Sequence, residues 1–188
     1  MSKHDAFHLA LGRFVDAFAT AEHNLKFALA TTAAVPREVA QAIFSGTRAD
    51  AAISFIGRLF EARGTRPGTD VDVALKRMQL ILGVRNDLMH FGASLDGDHF
   101  TTSNAAHTIE RQAKSIRLTI SDLEDMTADL AAVSNRFIWL CVVNEPNAFP
   151  EAVQSLDAAA RVPFRYKSPA EGGRREAQPR RQRHPKPA

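Results

Sequence analysis

Cysteine is almost absent from this chain of 188 residues: Cys141 is the single one. That excludes an intramolecular disulfide framework and any metal site built from several cysteines. Large aromatic side chains with a polar handle are equally scarce, with one Trp and one Tyr, so the aromatic part of the core must come from the twelve Phe. Long apolar runs are missing too. The longest, Phe137 to Val143, falls far short of the roughly 18 apolar residues of a membrane span. Met1 to Asp5 leads into no apolar stretch, which speaks against a signal peptide. No phosphate-cradling glycine loop, dinucleotide fingerprint or nucleophile elbow occurs. A reducing, cytoplasmic setting without membrane contact is the expectation, with no cofactor and no metal.

What is present divides unevenly. Hydrophobic residues make up 45% of the chain, enough for a core in a domain of this length. The net charge of +3 hides an asymmetry: residues 161–188 hold nine Lys or Arg against two Glu, a net of +7, which leaves −4 for residues 1–160. The end of the chain also holds five of the nine prolines and Gly172-Gly173. With little to bury, it reads as a disordered basic tail. Arg174, Arg175, Arg180, Arg181 and Arg183 are its candidates for weak nucleic-acid contact; a purely solubilising tail is the alternative. The expected organisation is therefore a folded domain over 1–160 and a tail over 161–188.

The folded part reads as helices. From Asp5 to Thr31, Val15, Phe18, Leu25 and Leu29 fall on one stripe, with Glu22 in the gap. Pro36 suits the first turn of a second helix reaching Phe44, and Ile53, Ile56 and Phe60 mark a third over Ala49 to Ala62. A fourth, with Asp70 as expected N-cap, carries Val71, Leu75, Met78, Leu82, Arg85 and Met89 on one stripe and stops at Gly92. Between residues 93 and 120 the pattern changes. Asp96-Gly97 signals a hairpin, and Ile116, Leu118 and Ile120 alternate as in a strand. The last long helix opens on an expected capping box of Ser121 and Glu124. Leu123, Met126, Leu130, Val133, Phe137 and Leu140 then form a seam for a bundle core or for a second subunit. Glu151 to Ala160 adds a short helix. The predicted fold is all-α: an up-and-down bundle of four to five helices, with a small hairpin or irregular insert near 93–120.

Two charges interrupt apolar stripes, Glu22 and Arg85. A buried charge is costly unless paired. Either the two helices pack so that Glu22 holds Arg85, or one of the two reaches solvent at the bundle edge. Arg85 opens Arg85-Asn86-Asp87-Leu88-Met89-His90. Here the chain resembles the HEPN superfamily (higher eukaryotes and prokaryotes nucleotide-binding domain). Its signature is an Arg followed directly by a polar residue, often Asn, with four to six residues between the Arg and a His, late in a bundle helix; here four residues separate Arg85 from His90. The helical organisation agrees over roughly residues 5–145. The resemblance implies a metal-independent endoribonuclease that works as a homodimer, with the motifs of two copies facing one cleft. It implies His90 as general acid or base, Arg85 on the scissile phosphate, and Asn86 and Glu22 in support. A role in bacterial stress, defence or toxin–antitoxin systems, with RNA as partner and an antitoxin protein as a possible second, also comes from the resemblance. The residues suit that chemistry. Attack by the 2′-hydroxyl needs proton transfer near neutrality, where histidine as a residue type titrates. The phosphorane needs a fixed cation, and Arg forks onto phosphate oxygens. Residues 85 and 90 are five apart, about 140° around a helix at 100° per residue, so a site using both is easier to build between two copies.

The same residues admit structural readings. His90 suits a helix C-terminus through the dipole, Arg85 an anchor in the core, and Asn86 a surface position. The alternative function is a non-catalytic dimeric module that binds nucleotide, RNA or a protein partner; a purely structural dimer built on the last-helix seam is a third. His4 and His8 share a helix face but lie at a terminus that frays. His99 and His107 sit in the insert without carboxylates at ligand spacing. Asp122, Glu124 and Asp125 complement a helix dipole, and Cys141 reads as a small buried hydrophobe.

Overall fold

The computed structural model describes residues 2–96, 99–103, 115–143 and 149–167. The expected all-α architecture is present: six helices and a small antiparallel sheet among the described residues. The helices are α1 (Lys3–Ala33), α2 (Arg37–Phe44), α3 (Ala49–Ala62), α4 (Thr69–Phe91), α5 (Ile120–Val142) and α6 (Pro150–Ala160). Strands β1 (Ser94–Asp96), β2 (His99–Ser103) and β3 (Ser115–Leu118) lie between α4 and α5. No helix among the described residues is long and apolar enough to cross a membrane.

The long helices α1 and α5 form the spine. Asn24 donates to the Ser134 hydroxyl at 2.7 Å, and Thr31 donates to Cys141 Sγ at 3.4 Å. The same offset of 110 residues at both contacts means that α1 and α5 run in the same direction. The α5 seam faces the core: Leu123, Met126, Leu130, Val133 and Phe137 are buried with Phe14, Leu25 and Leu29 of α1 and Met78 and Ile81 of α4. A seam filled by its own chain leaves no role for a dimer resting on that seam alone. Burial pushes the Cys141 thiol above its ordinary range, against the Thr31 hydrogen bond, which fits an inert packed side chain.

The buried face of α1 includes Phe18, Leu25 and Leu29 as read in the sequence, but its centre lies toward Phe14 and Ala21 rather than Val15 and Glu22. Phe7, Ala10, Phe14, Phe18, Ala21, Leu25, Ala28 and Thr32 are buried, whereas Val15 and Glu22 are half-buried. On α4 the stripe likewise passes through Ala74, Ile81, Val84 and Leu88, leaving Arg85 half-buried and Met89 exposed. On α1 several of the added positions are alanines, which are compatible with either face; on α4 Val71, Leu75, Met78 and Leu82 are buried as read, and Ile81, Val84 and Leu88 widen the buried face beside them.

Two helix starts also differ from expectation. The N-cap of α4 is Gly68, with Asp70 inside the first turn. The capping box of α5 is Thr119 with Asp122, two residues before the expected pair. The Asp122 carboxylate accepts from the Thr119 N–H and hydroxyl, both at 2.7 Å, and Thr119 Oγ1 accepts from the Asp122 N–H at 3.1 Å. Strand β3 ends at the buried Leu118, so the chain turns into the helix as soon as the strand is complete. Thr119→Ala should cost about 1 kcal/mol, readable as a lower urea midpoint at unchanged slope. Ser121→Ala, one turn position into the helix, should change the midpoint little.

The sheet has strand order β1-β2-β3, with Leu95 opposite Phe100 and Phe100 opposite Leu118. Asp96 pairs with His99, so the expected hairpin exists; Gly97 itself lies outside the described residues. The sheet closes one end of the bundle. Phe100 is stacked on Phe7 with ring centroids 3.7 Å apart, and Thr102 donates to the Asp87 carbonyl at 3.1 Å. That bond fastens the sheet to the last turns of α4.

The first residues of the basic end pack on the bundle. Residues 162–167 run back along α5 as a strap. Buried Asp129 accepts the N–H of Arg165 at 2.6 Å and of Tyr166 at 3.1 Å, and lies 3.6 Å from Arg77. Arg77 donates to the Tyr166 carbonyl at 2.8 Å, and Arg136 to the Val162 carbonyl at 3.0 Å. Phe164 packs against both guanidinium groups, 4.7 Å from Arg77 and 4.5 Å from Arg136. Tyr166 is buried in the core. The folded domain therefore extends through Lys167, and the arginines named for the tail lie outside the described residues.

Candidate functional site

The Arg85-to-His90 segment forms the last turns of α4. Gly92 ends the helix with a φ of 66°, a conformation suited to glycine, and its N–H bonds the Leu88 carbonyl at 3.1 Å. Below it the sheet holds the helix end at Asp87. The motif is thus carried on a rigid element fixed at its tip.

Arg85 opens into a cavity of about 210 Å³ between three helices. Helix α1 contributes Phe18 and Glu22, the start of α3 contributes Arg48, Ala49 and Asp50, and α4 contributes Leu82, Arg85 and Asn86. The guanidinium carbon of Arg85 lies 5.4 Å from the centre of the Phe18 ring, and Arg85 donates to Asn86 Oδ1 at 3.1 Å. A cation over an aromatic face is favoured by about 0.5–2 kcal/mol, and the neutral amide oxygen fixes the plane of the fork.

Glu22 lines the same cavity, but no ion pair joins it to Arg85 among the described residues. The reason is the shifted stripe. Both side chains sit at the border of the buried faces, where water reaches them, so neither needs the other as a counter-charge. Of the two readings of these charges, the position at the bundle edge holds. The other cation of the cavity, Arg48, lies 3.9 Å from Asp50, with both side chains exposed. Nothing in the sequence pattern pointed to Arg48: it stands just before α3 and belongs to no stripe.

His90 is exposed and does not line the cavity. Its position relative to Arg85 follows from the helix, about 140° around the axis. Within one chain, Arg85 and Asn86 share a cleft with Glu22, and His90 projects elsewhere.

The other candidates separate clearly. His4 and His8 take part in ring packing at the start of α1, 6.2 Å from each other, with His4 edge-on to Phe100 at 6.3 Å. Among the described residues no group of three His, Cys, Asp or Glu is placed to hold a metal; His107 lies outside them. A larger hollow of about 440 Å³ follows the α3–α4 loop past Phe60, Glu61 and Arg66. It lacks any pair suited to proton transfer and touches none of the candidate residues, so volume alone does not make it the site.

Comparison with protein-family models, with curated proteins and with solved structures returns no match to this chain.

Proposed function

We propose that this chain is a HEPN-type, metal-independent endoribonuclease that acts as a homodimer. The observation that supports this reading most is the setting of Arg85: a half-buried guanidinium oriented by an aromatic face and a neutral amide, in an open cleft, with no carboxylate in ion-pair contact among the described residues. Such a cation is pre-positioned and still free to bind an anion. A phosphodiester oxygen fits that description.

In the proposed reaction the RNA 2′-oxygen attacks the adjacent phosphorus and the P–O5′ bond breaks. The 2′-hydroxyl proton passes to a base, and the departing 5′-oxygen receives a proton. The products are a 2′,3′-cyclic phosphate and a 5′-hydroxyl. Arg85 would hold the phosphate and the charge that grows on it. His90 would move the proton. Because the two groups diverge around α4, a second copy of the helix would bring its His90 to the cleft that holds this Arg85. Single-stranded RNA is the substrate class, since its 2′-hydroxyls are free to align with the leaving oxygen. The site would work in the cytoplasm, in a stress, defence or toxin–antitoxin setting with an antitoxin protein as a further partner.

One observation favours the second reading, a non-catalytic module that binds nucleotide, RNA or protein. His90 does not line the cleft of its own chain, so without a dimer the cleft has no proton-transfer group besides Glu22 and Asp50.

A mixed RNA pool incubated with the protein in EDTA decides between them. Cleavage leaving 2′,3′-cyclic phosphate ends, from a species that runs as a dimer in light scattering, is the expected result. A folded protein that binds RNA and leaves it intact points to the module.

A further inference from the structure

We infer that Arg48 is a phosphate-binding residue of the same cleft, taking an RNA phosphate next to the one at Arg85. This rests on the ribonuclease reading and extends it to how the strand is held. Arg48 and Arg85 line one cavity from opposite elements, the start of α3 and the end of α4. Arg85 is half-buried and held in one orientation, as suits a group at the reacting phosphate. Arg48 is different: its side chain is 79% exposed, with Asp50 60% exposed at 3.9 Å as its counter-charge. An exposed pair at that distance is worth little. A phosphate, which offers Arg two parallel hydrogen bonds, readily replaces the carboxylate.

Two further features agree. Arg48 is the N-cap of α3 and makes no side-chain cap bond, so its side chain is not committed to the helix start. The amino end of α3 also places its partial positive charge toward the cavity wall formed by Ala49 and Asp50. An RNA strand with one phosphate at Arg85 and another at Arg48 would cross the mouth of the cleft from α4 to α3.

The carboxylates refine the expectation. Asp50 competes with the RNA for Arg48, so neutralising Asp50 should strengthen binding. Glu22 forms no ion pair with Arg48 among the described residues, so it gives no such effect through Arg48.

The test measures binding of a fluorescein-labelled, fully 2′-O-methylated single-stranded RNA by anisotropy at several salt concentrations. Methylation removes the nucleophile and keeps every phosphate. Wild type is compared with Arg48→Ala, Arg48→Lys, Asp50→Asn and, as a control of equal charge change, Arg161→Ala. Arg161 is the C-cap of α6, is not among the residues lining the cleft, and pairs with Asp157 at 2.9 Å. Arg48→Ala should weaken binding about tenfold or more and lower the salt slope by about 0.7. Arg48→Lys should keep the slope, Asp50→Asn should tighten binding several-fold, and Arg161→Ala should change little. On cleavable RNA the Arg48→Ala defect should fall on KM with kcat nearly unchanged.

The outcomes separate. Wild type that binds and cleaves, with Arg48→Ala indistinguishable from it or no worse than Arg161→Ala, overturns the role of Arg48 and leaves the ribonuclease reading standing. Folded wild type that neither binds nor cleaves RNA overturns the ribonuclease reading, and the role of Arg48 with it.

Discussion

Asp129→Ala should lower the melting temperature by on the order of 10 °C. Asp129 is a carboxylate whose side chain is 1% exposed, and it faces three donors: the N–H groups of Arg165 and Tyr166 and the Arg77 guanidinium. Removing one partner of a buried charged set costs about 3–5 kcal/mol, because the two strap N–H groups lose their acceptor and Arg77 loses its counter-charge. In a domain of this size each kcal/mol moves the melting point by about 2–4 °C. The loss should be local in origin. Without Asp129 the strap is held by the Arg77 and Arg136 contacts to the Tyr166 and Val162 carbonyls and by Phe164 between the two guanidinium groups. Trypsin should therefore cut at Arg165 and Lys167 before the rest of the bundle unfolds. An unchanged melting point with an unchanged cleavage rate would show that the strap does not depend on this carboxylate.

The pH dependence has a definite sign. Burial pushes the Asp129 carboxyl above its usual range, and the N–H groups of Arg165 and Tyr166 and the charge of Arg77 only partly offset this. With the folded pKa raised, the protonated form is favoured in the folded state. Its contribution to stability is complete below the unfolded value of about 3.8 and is lost as pH rises through the folded value. Asp129→Asn removes this titration. The stability of wild type relative to Asp129→Asn should accordingly fall as pH rises above that lower limit and then become constant. A difference that grows with pH instead would mean that the hydrogen bonds outweigh burial.

On the proposed ribonuclease reading, the largest effect on activity is expected at His90. His90→Ala should reduce kcat by about 10²–10⁴, the usual range for losing a positioned acid or base, with RNA affinity kept. Arg85→Ala should reduce it by about 10²–10³ and weaken binding as well. Neither change should unfold the protein, since His90 is exposed and Arg85 is half-buried at the border of the core. Because the two side chains diverge by about 140° around α4, the decisive measurement is complementation. Co-expressed Arg85→Ala and His90→Ala chains should regain part of the wild-type cleavage, since a mixed dimer can join an intact Arg85 from one copy to an intact His90 from the other. Mixed dimers that form and stay inactive would mean that the two groups do not meet across an interface.

Local signals decided most of the secondary structure. Phe137 and Leu123 mark a seam, Gly92 marks a stop, and Asp96-Gly97 marks a hairpin, because each depends on helical or strand periodicity or on backbone freedom within a few residues. The caps were less legible. Thr119-x-x-Asp122 and Ser121-x-x-Glu124 are overlapping frames of one pattern, and the end of β3 at Leu118 chooses between them.

The candidate site was legible in part. Arg85 and Asn86 could be named from sequence, and the structure places them together in one cleft. That Glu22 and Arg85 interrupt apolar stripes also followed from the sequence. That they need no ion pair did not, because Ala21 and Ala74 are silent about which face is buried and only packing against α5 settles it. Arg48 had no signal at all, since it enters the cleft through the way α3 lies against α1 and α4.

The sequence by itself determined an all-helical body with a small sheet, the seam of α5 and the position of the Arg85-to-His90 segment near a helix end. The tertiary structure alone decided that residues 162–167 pack on the domain and which charges are buried. Asp129 reads as one more surface acid, and Arg165-Tyr166-Lys167 as the start of a basic tail, until the chain returns along α5. Arg77 meets Tyr166 across 89 residues of sequence. Periodicity reports on neighbours within a few turns of one helix, whereas the partner of a buried charge is set by which helices lie side by side.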